Sequence, residues 1–114
     1  MFKFDEEREE YVAEINGVEF ACDEPEDGYE EEAQKLSKLY FKKQPEMIEF
    51  MFPELQKIYG DIDKSKLPQL LGKPTINLTT YQIMYMEQTL DDFHIIEFEY
   101  GDDFSEFYYF NIDG

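Results

Sequence analysis

The 114 residues carry 28 Asp and Glu against 10 Lys and Arg, a net charge of −18, and 42% of the chain is hydrophobic, with 11 Phe and 9 Tyr. Nucleic acid is bound by replacing its counterions with Lys and Arg, and anionic membrane surfaces attract polybasic segments, so this charge excludes both as partners. The aromatic content supplies a hydrophobic core and argues against intrinsic disorder, and the length suits one domain over residues 1–114.

A single cysteine, Cys22, excludes an internal disulfide and a cysteine cluster for zinc or iron–sulfur ligation. No apolar run approaches the ~20 residues that span a bilayer. The start, Met1-Phe2-Lys3-Phe4-Asp5-Glu6-Glu7, lacks the apolar stretch of a signal peptide, so a cytoplasmic location is expected.

The first predicted element is a hairpin over Tyr11–Cys22. Asn16-Gly17 suits a two-residue type I′ turn, whose central positions both need positive φ. Folding there pairs Ile15 with Val18, Ala13 with Phe20 and Tyr11 with Cys22 on one apolar face, and sets Glu14 against Glu19 on the other, a mildly repulsive pair. Asp23–Gly28 is a polar connection, and Asp27 with Glu30 reads as a capping pair for a helix running to about Lys43. Tyr29, Ala33, Leu36 and Tyr40 give that helix one apolar stripe; Glu30–Glu32 at its start and Lys42-Lys43 at its end suit the helix dipole.

Pro45 is placed to open a second helix, with Met47, Ile48, Met51, Leu55 and Ile58 on its buried side and Gly60 as C-terminal cap. Pro53 predicts a kink or a division into two short helices. One further turn is expected around Leu67–Leu71. From Pro74 onward the pattern is strand-like: Ile76, Leu78 and Thr80 alternate, then Tyr81, Ile83 and Tyr85 in opposite phase, which predicts a bulge near Thr79-Thr80. Leu90-Asp91-Asp92 is a turn, His94–Tyr100 a strand, Gly101-Asp102-Asp103 a turn, and Phe104–Ile112 a closing strand. Rings on both faces of that last strand predict a central, doubly covered position or, alternatively, a contact surface. The fold class is α+β: an antiparallel sheet, made of an N-terminal hairpin plus three C-terminal strands, with two helices packed on one face.

The charge is uneven. Residues 1–34 hold 14 acids and two bases, residues 74–114 hold nine acids and no Lys or Arg, and eight of the ten bases lie between Lys35 and Lys73. If the terminal blocks form the sheet, the sheet is anionic and the helical layer near neutral. Such a field attracts a basic protein partner and speeds encounter. The candidate partner-binding residues are outward-facing Glu14, Glu19, Glu97 and Glu99, together with Asp91, Asp92, Asp102 and Asp103 in turns.

Sites for chemistry are sparse. Asp23–Gln34 begins like a calcium loop but has Pro25 at position three and Gln34 at position twelve; Asp61–Gly72 has Lys66 where Gly is required. No metal, cofactor or catalytic residue is therefore expected. His94, the one histidine, could act as a base with Asp91 or Asp92, yet reads more simply as a strand-edge residue with one hydrogen bond. Cys22 falls on the apolar face of its strand, as inert filling.

The Asn16-Gly17 hairpin leading to Asp23–Gly28, the helix with Ala33, Leu36 and Tyr40, and the segments Leu78–Tyr85 and Phe107–Gly114 together resemble small acidic bacterial α+β proteins of uncharacterised families. Some of these resemble immunity proteins of polymorphic toxin systems. The resemblance implies a cytosolic, antitoxin-like inhibitor that binds a toxin, and carries over no functional residue. The expected function is a non-catalytic binding protein for a basic protein partner. The rival expectations are a structural or regulatory homodimer joined through the aromatic last strand, and an enzyme using His94 with carboxylates.

Overall fold

The computed structural model describes residues 1–113, so the last residue of the Phe107–Gly114 segment lies outside them. Seven strands, β1 (Lys3–Asp5), β2 (Glu10–Ile15), β3 (Val18–Cys22), β4 (Thr75–Asn77), β5 (Gln82–Tyr85), β6 (Ile95–Tyr100) and β7 (Phe107–Asp113), form one sheet in sequence order. Every neighbouring pair is antiparallel except β3 and β4, which are parallel. Parallel neighbours need a crossover connection. Here it holds α1 (Tyr29–Tyr59) and the short α2 (Leu67–Leu71). The α+β class is as expected, with two more strands than the sequence pattern suggests.

The β2–β3 hairpin has the expected register, Tyr11 opposite Cys22 through Ile15 opposite Val18, with Asn16 at φ 53° and Gly17 at φ 79°. Asn16 Nδ2 also donates to Ser37 Oγ at 3.1 Å, which ties the turn to α1. The first extra strand, β1, pairs Phe4 with Tyr11 and stacks their rings edge-on at 5.2 Å. Three residues are too few for a strand period to show in sequence.

The expected break at Pro45 and kink at Pro53 do not divide the helix: α1 runs unbroken through both. Its buried side chains, Ala33, Leu36, Tyr40, Met47, Ile48, Met51 and Leu55, stay in one helical phase across the two prolines. Each proline leaves one carbonyl four residues earlier without its donor. Those carbonyls belong to Phe41 and Glu49, both on the exposed side where water can satisfy them. The apolar stripe thus outweighs the local penalty. Two smaller expectations also fail. The N-cap is Gly28 at φ 92° rather than Asp27, with no side-chain cap, and Ile58 is 53% exposed because the stripe ends at Leu55.

Thr79-Thr80 is a hairpin turn and not a bulge, which accounts for the second extra strand. Asn77 Oδ1 accepts from the backbone N–H groups of Thr79 (2.9 Å) and Thr80 (3.0 Å), and Tyr81 adopts φ 58°. The side-chain amide thereby mimics a backbone turn.

The last strand is an edge strand, not a central one. Glu99 faces Tyr108 while Glu97 faces Asn111, so an extra residue is accommodated between them, and Tyr109 takes φ 58°. This bulge turns both Phe107 and Phe110 toward the core. Phe107 meets Phe50 and Phe98 at ring distances of 5.9 and 5.6 Å, whereas Tyr109 is 74% exposed. Rings on both faces of the sequence pattern record a phase change, not double coverage.

One core lies between the helices and one face of the sheet: Phe20, Ile76, Ile83, Phe98 and Tyr85 from strands, with Leu36, Tyr40, Met51, Leu55, Leu67 and Leu71 from helices. Tyr40 and Tyr85 join their hydroxyls at 2.7 Å inside it. Burial pushes the Tyr40 phenol up to about 12.

Candidate functional site

The helices cover one face, so the other carries the remaining strand side chains. Across it, Lys3, Val12, Ala21, Asn77, Gln82, Glu99 and Tyr108 form one row, and Glu14, Glu19, Thr75, Met84, Glu97 and Asn111 form the next. Carboxylates stand on β2 and β3 and again on β6, and their surroundings differ.

On β2 and β3 the acids are paired. The β1–β2 turn is held by Asp5 Oδ1, which accepts from the N–H groups of Glu7 (3.0 Å) and Arg8 (3.2 Å). It aims the Arg8 guanidinium between Glu10 and Glu19, each 2.6 Å away. Nη1 donates to Glu19; Nη2 touches Glu10 as an ion pair without the alignment of a hydrogen bond. Burial works against the charge on Arg8, yet Glu19 and Glu10 outweigh it and raise its pKa. Thr75 Oγ1 donates to Glu19 as well, at 2.9 Å. Lys73 reaches Glu14 at 2.8 Å and Glu87 at 3.8 Å, and the bond to Glu14 raises its pKa against partial burial. The repulsion expected between Glu14 and Glu19 is thus relieved by one cation on each.

On β6 the setting of Glu97 and Glu99 is different. Glu97 accepts from Asn111 Nδ2 at 3.2 Å, and among the described residues neither Glu97 nor Glu99 makes an ion pair. Gln82, Met84, Ile95 and Tyr108 share this half of the face.

At the end of the same half lies the β5–β6 loop, residues 86–94, built around Asp91. Its carboxylate accepts from Tyr59 Oη, Gln88 Nε2 (2.8 Å), His94 Nδ1 (2.6 Å) and the backbone N–H groups of Phe93 (3.3 Å) and His94 (3.0 Å). Burial would raise the Asp91 pKa, but donors from Tyr59, His94 and Gln88 prevail and hold it well below the usual carboxylate range. Burial, then the bond to the Asp91 carboxylate and its charge, push the Tyr59 phenol up to about 12. Gln88 closes the loop from the other side, donating to the His94 carbonyl at 2.9 Å and accepting from Leu90 N–H at 2.8 Å. Thr89 bonds the Leu70 carbonyl through its N–H (2.7 Å) and its hydroxyl (3.1 Å), so α2 anchors the loop too. Gly72 at φ 74° lets α2 end against the loop, since a Cβ there would lie 3.2 Å from the Glu87 carbonyl oxygen.

These bonds frame an open cavity of about 600 Å³, walled by Met86, Gln88, Asp92, Phe93, His94 and Ile95. Phe93 is 67% exposed and Met86 38% exposed. His94 turns Nδ1 to Asp91 and stacks on Phe93 at a ring distance of 4.1 Å. The nearest hydroxyl in the wall, that of Thr89, donates to Leu70 instead of facing the imidazole. Cys22 is buried on the core face, and burial raises its thiol pKa. Among the described residues no group of three His, Cys, Asp or Glu side chains is arranged to hold a metal ion. Among the described residues no helix is long and apolar enough to cross a membrane.

The eight acids singled out from sequence fall into separate settings. Glu14 and Glu19 sit in ion pairs, Asp91 holds the loop together, and Asp103, within the 3₁₀ turn Asp102–Phe104, pairs with Lys35 at 2.8 Å. Asp92, Glu97, Glu99 and Asp102 make no ion pair among the described residues. Asp92 and Glu97 flank Phe93 and Ile95; Asp102 lies beyond the opposite end of β6. Reasoning from sequence missed Met86, Phe93 and Ile95 as surface residues. The period-2 pattern of β6 already puts Ile95 on the face of Glu97 and Glu99, so that signal was present. No sequence signal marks Arg8 or Tyr59 as partners of these acids. No protein-family profile matches the chain, and no curated protein or solved structure is significantly similar to it.

Proposed function

We propose that the chain is a non-catalytic binding protein that recognises a basic protein partner, acting in the cytoplasm as an immunity-type inhibitor of a toxin. The observation that carries this reading is that Glu97 and Glu99 stand beside Met84, Ile95 and Tyr108 and make no ion pair among the described residues, in a stretch, residues 74–114, that has no Lys or Arg. Carboxylates without internal counterions lose repulsion when a partner supplies Lys or Arg, and apolar neighbours provide the buried anchors. The Asp91–His94 pair supports the same reading, because Asp91 is spent on knitting the loop to α1.

Selection of a random peptide-display library on the folded chain tests it. Enriched peptides are expected to carry Lys and Arg, and to lose binding to Glu97→Lys/Glu99→Lys but not to Glu6→Lys/Glu7→Lys, which has the same net charge and alters exposed residues of the β1–β2 turn. Equal loss in both variants would reduce the attraction to bulk charge and sink the assignment.

A homodimer has one observation in its favour: β7 leaves one edge unpaired and presents Tyr109 there. Phe107 is committed to Phe50 and Phe98 and is not available to such a seam. A monomer in solution at high protein concentration removes this second reading.

A further inference from the structure

We infer that the cavity beside the β5–β6 loop is the docking site for one segment of that partner, a segment in which an apolar side chain is flanked by Lys or Arg. The inference rests on the binding reading above and locates it. Three observations meet at this place. First, large apolar side chains are presented outward: Phe93 and Met86 stand at the cavity mouth, and Ile95 continues their surface onto the open face of the sheet. Exposed aromatic and methionine side chains of this kind are what interface cores bury.

Second, their surroundings are acidic. Asp92 and Glu87 rim the cavity, and Glu97 lies two residues from Ile95 on the same face. Among the described residues, the cation that reaches any of these three acids is Lys73, whose amino group is 3.8 Å from Glu87 and is held at 2.8 Å by Glu14. A segment with apolar side chains alone would leave these acids desolvated, an acidic one would be repelled, and a basic one without an apolar residue would leave Phe93 uncovered. The complement is both basic and apolar.

Third, the loop is fixed before any partner arrives. Asp91 binds it to Tyr59 of α1, Thr89 binds it to Leu70 of α2, and Gln88 bridges its two ends. A surface already held in place loses little freedom on binding, which favours affinity. Asp91 is therefore a positioning residue for Phe93 and His94, whose backbone N–H groups it accepts.

The test uses the unaltered protein with labelled methionine methyl groups and the peptides enriched in the display selection. The methionines report on separate places: Met84 and Met86 on the open half, Met47 and Met51 in the core. Titration of a selected peptide is expected to shift Met86 and Met84 and leave Met47 and Met51 in place. Phe93→Ala, which removes an exposed ring, is expected to weaken binding at least tenfold. Selected basic peptides that bind Phe93→Ala as tightly as the native chain, with Met86 unmoved, would overturn the site while leaving the binding reading intact. A selection that enriches no basic peptide would overturn both. A Met86 signal that moves with protein concentration alone, before any peptide is added, would assign the surface to a second copy of this chain and overturn the inference.

Discussion

The two halves of the helix-free face carry glutamates at equivalent strand positions, yet Glu10, Glu14 and Glu19 in one half are internally neutralised, whereas Glu97 and Glu99 in the other make no ion pair among the described residues. On β2 and β3, Glu10, Glu14 and Glu19 are bound by Arg8 and Lys73, cations that come from a turn and from the crossover connection. On β6, Glu97 accepts from an asparagine amide and faces Met84, and Glu99 lies between Gln82 and Tyr108. The comparison teaches that net charge does not locate a functional field. A carboxylate contributes to recognition when the fold brings it no counterion, and that depends on a few long side chains reaching across strands.

The sharpest way to break the comparison is to remove Arg8. Arg8→Ala leaves Glu10 and Glu19 partly buried without their shared cation, and is expected to cost about 2 kcal/mol of stability by urea unfolding. A cost near zero would mean that the two halves are energetically alike.

The second test uses acid. Asp91 has its folded-state pKa depressed, so its stabilising effect is complete above the ordinary carboxylate range and is lost as pH falls from that range toward the folded value. Asp91→Asn is therefore expected to flatten the acid limb of the stability profile and to loosen the loop, seen as faster hydrogen exchange at the Phe93 and His94 amides. An unchanged acid limb would deny Asp91 its place at the loop's centre.

Smaller effects follow on the open half. Glu97→Gln/Glu99→Gln relieves like-charge repulsion and is expected to raise stability by roughly 0.5 kcal/mol while weakening binding of a basic peptide. Loss of stability instead would show that the bond from Asn111 to Glu97 outweighs the repulsion. The smallest expected effect is that of Lys73→Ala, about 0.5 kcal/mol or less because its pairs are largely exposed, and it should vanish at high salt.

Legibility varied with the range of the interactions involved. The β2–β3 hairpin could be read in full because Asn16-Gly17 and the alternating apolar residues are local and agree with each other. The C-cap at Gly60 and the turn at Leu67–Leu71 were equally local. Pro45 and Pro53 misled because each states a local preference, whereas the sheet rewards one continuous stripe from Ala33 to Leu55. Thr79-Thr80 reads as a bulge because a phase change alone does not distinguish an extra residue from a chain reversal; Asn77 decides it by capping the turn. In β7 the reverse held, and the bulge at Tyr109 was hidden behind an unbroken run of rings.

By itself, the order of residues determined the composition of each layer: acids and alternating apolar residues in the strands, most cations between them, and outward positions for Glu14, Glu19, Glu97 and Glu99. Only the tertiary structure decided which of those acids acquire a counterion, that Asp91 is consumed within its loop, and that Phe93 and Met86 stand beside the carboxylates left over. The reason is one of distance. Backbone pattern acts over a few residues, whereas an ion pair is set by side chains 11 residues apart for Arg8 and Glu19 and 59 apart for Lys73 and Glu14, which meet only once the sheet has formed.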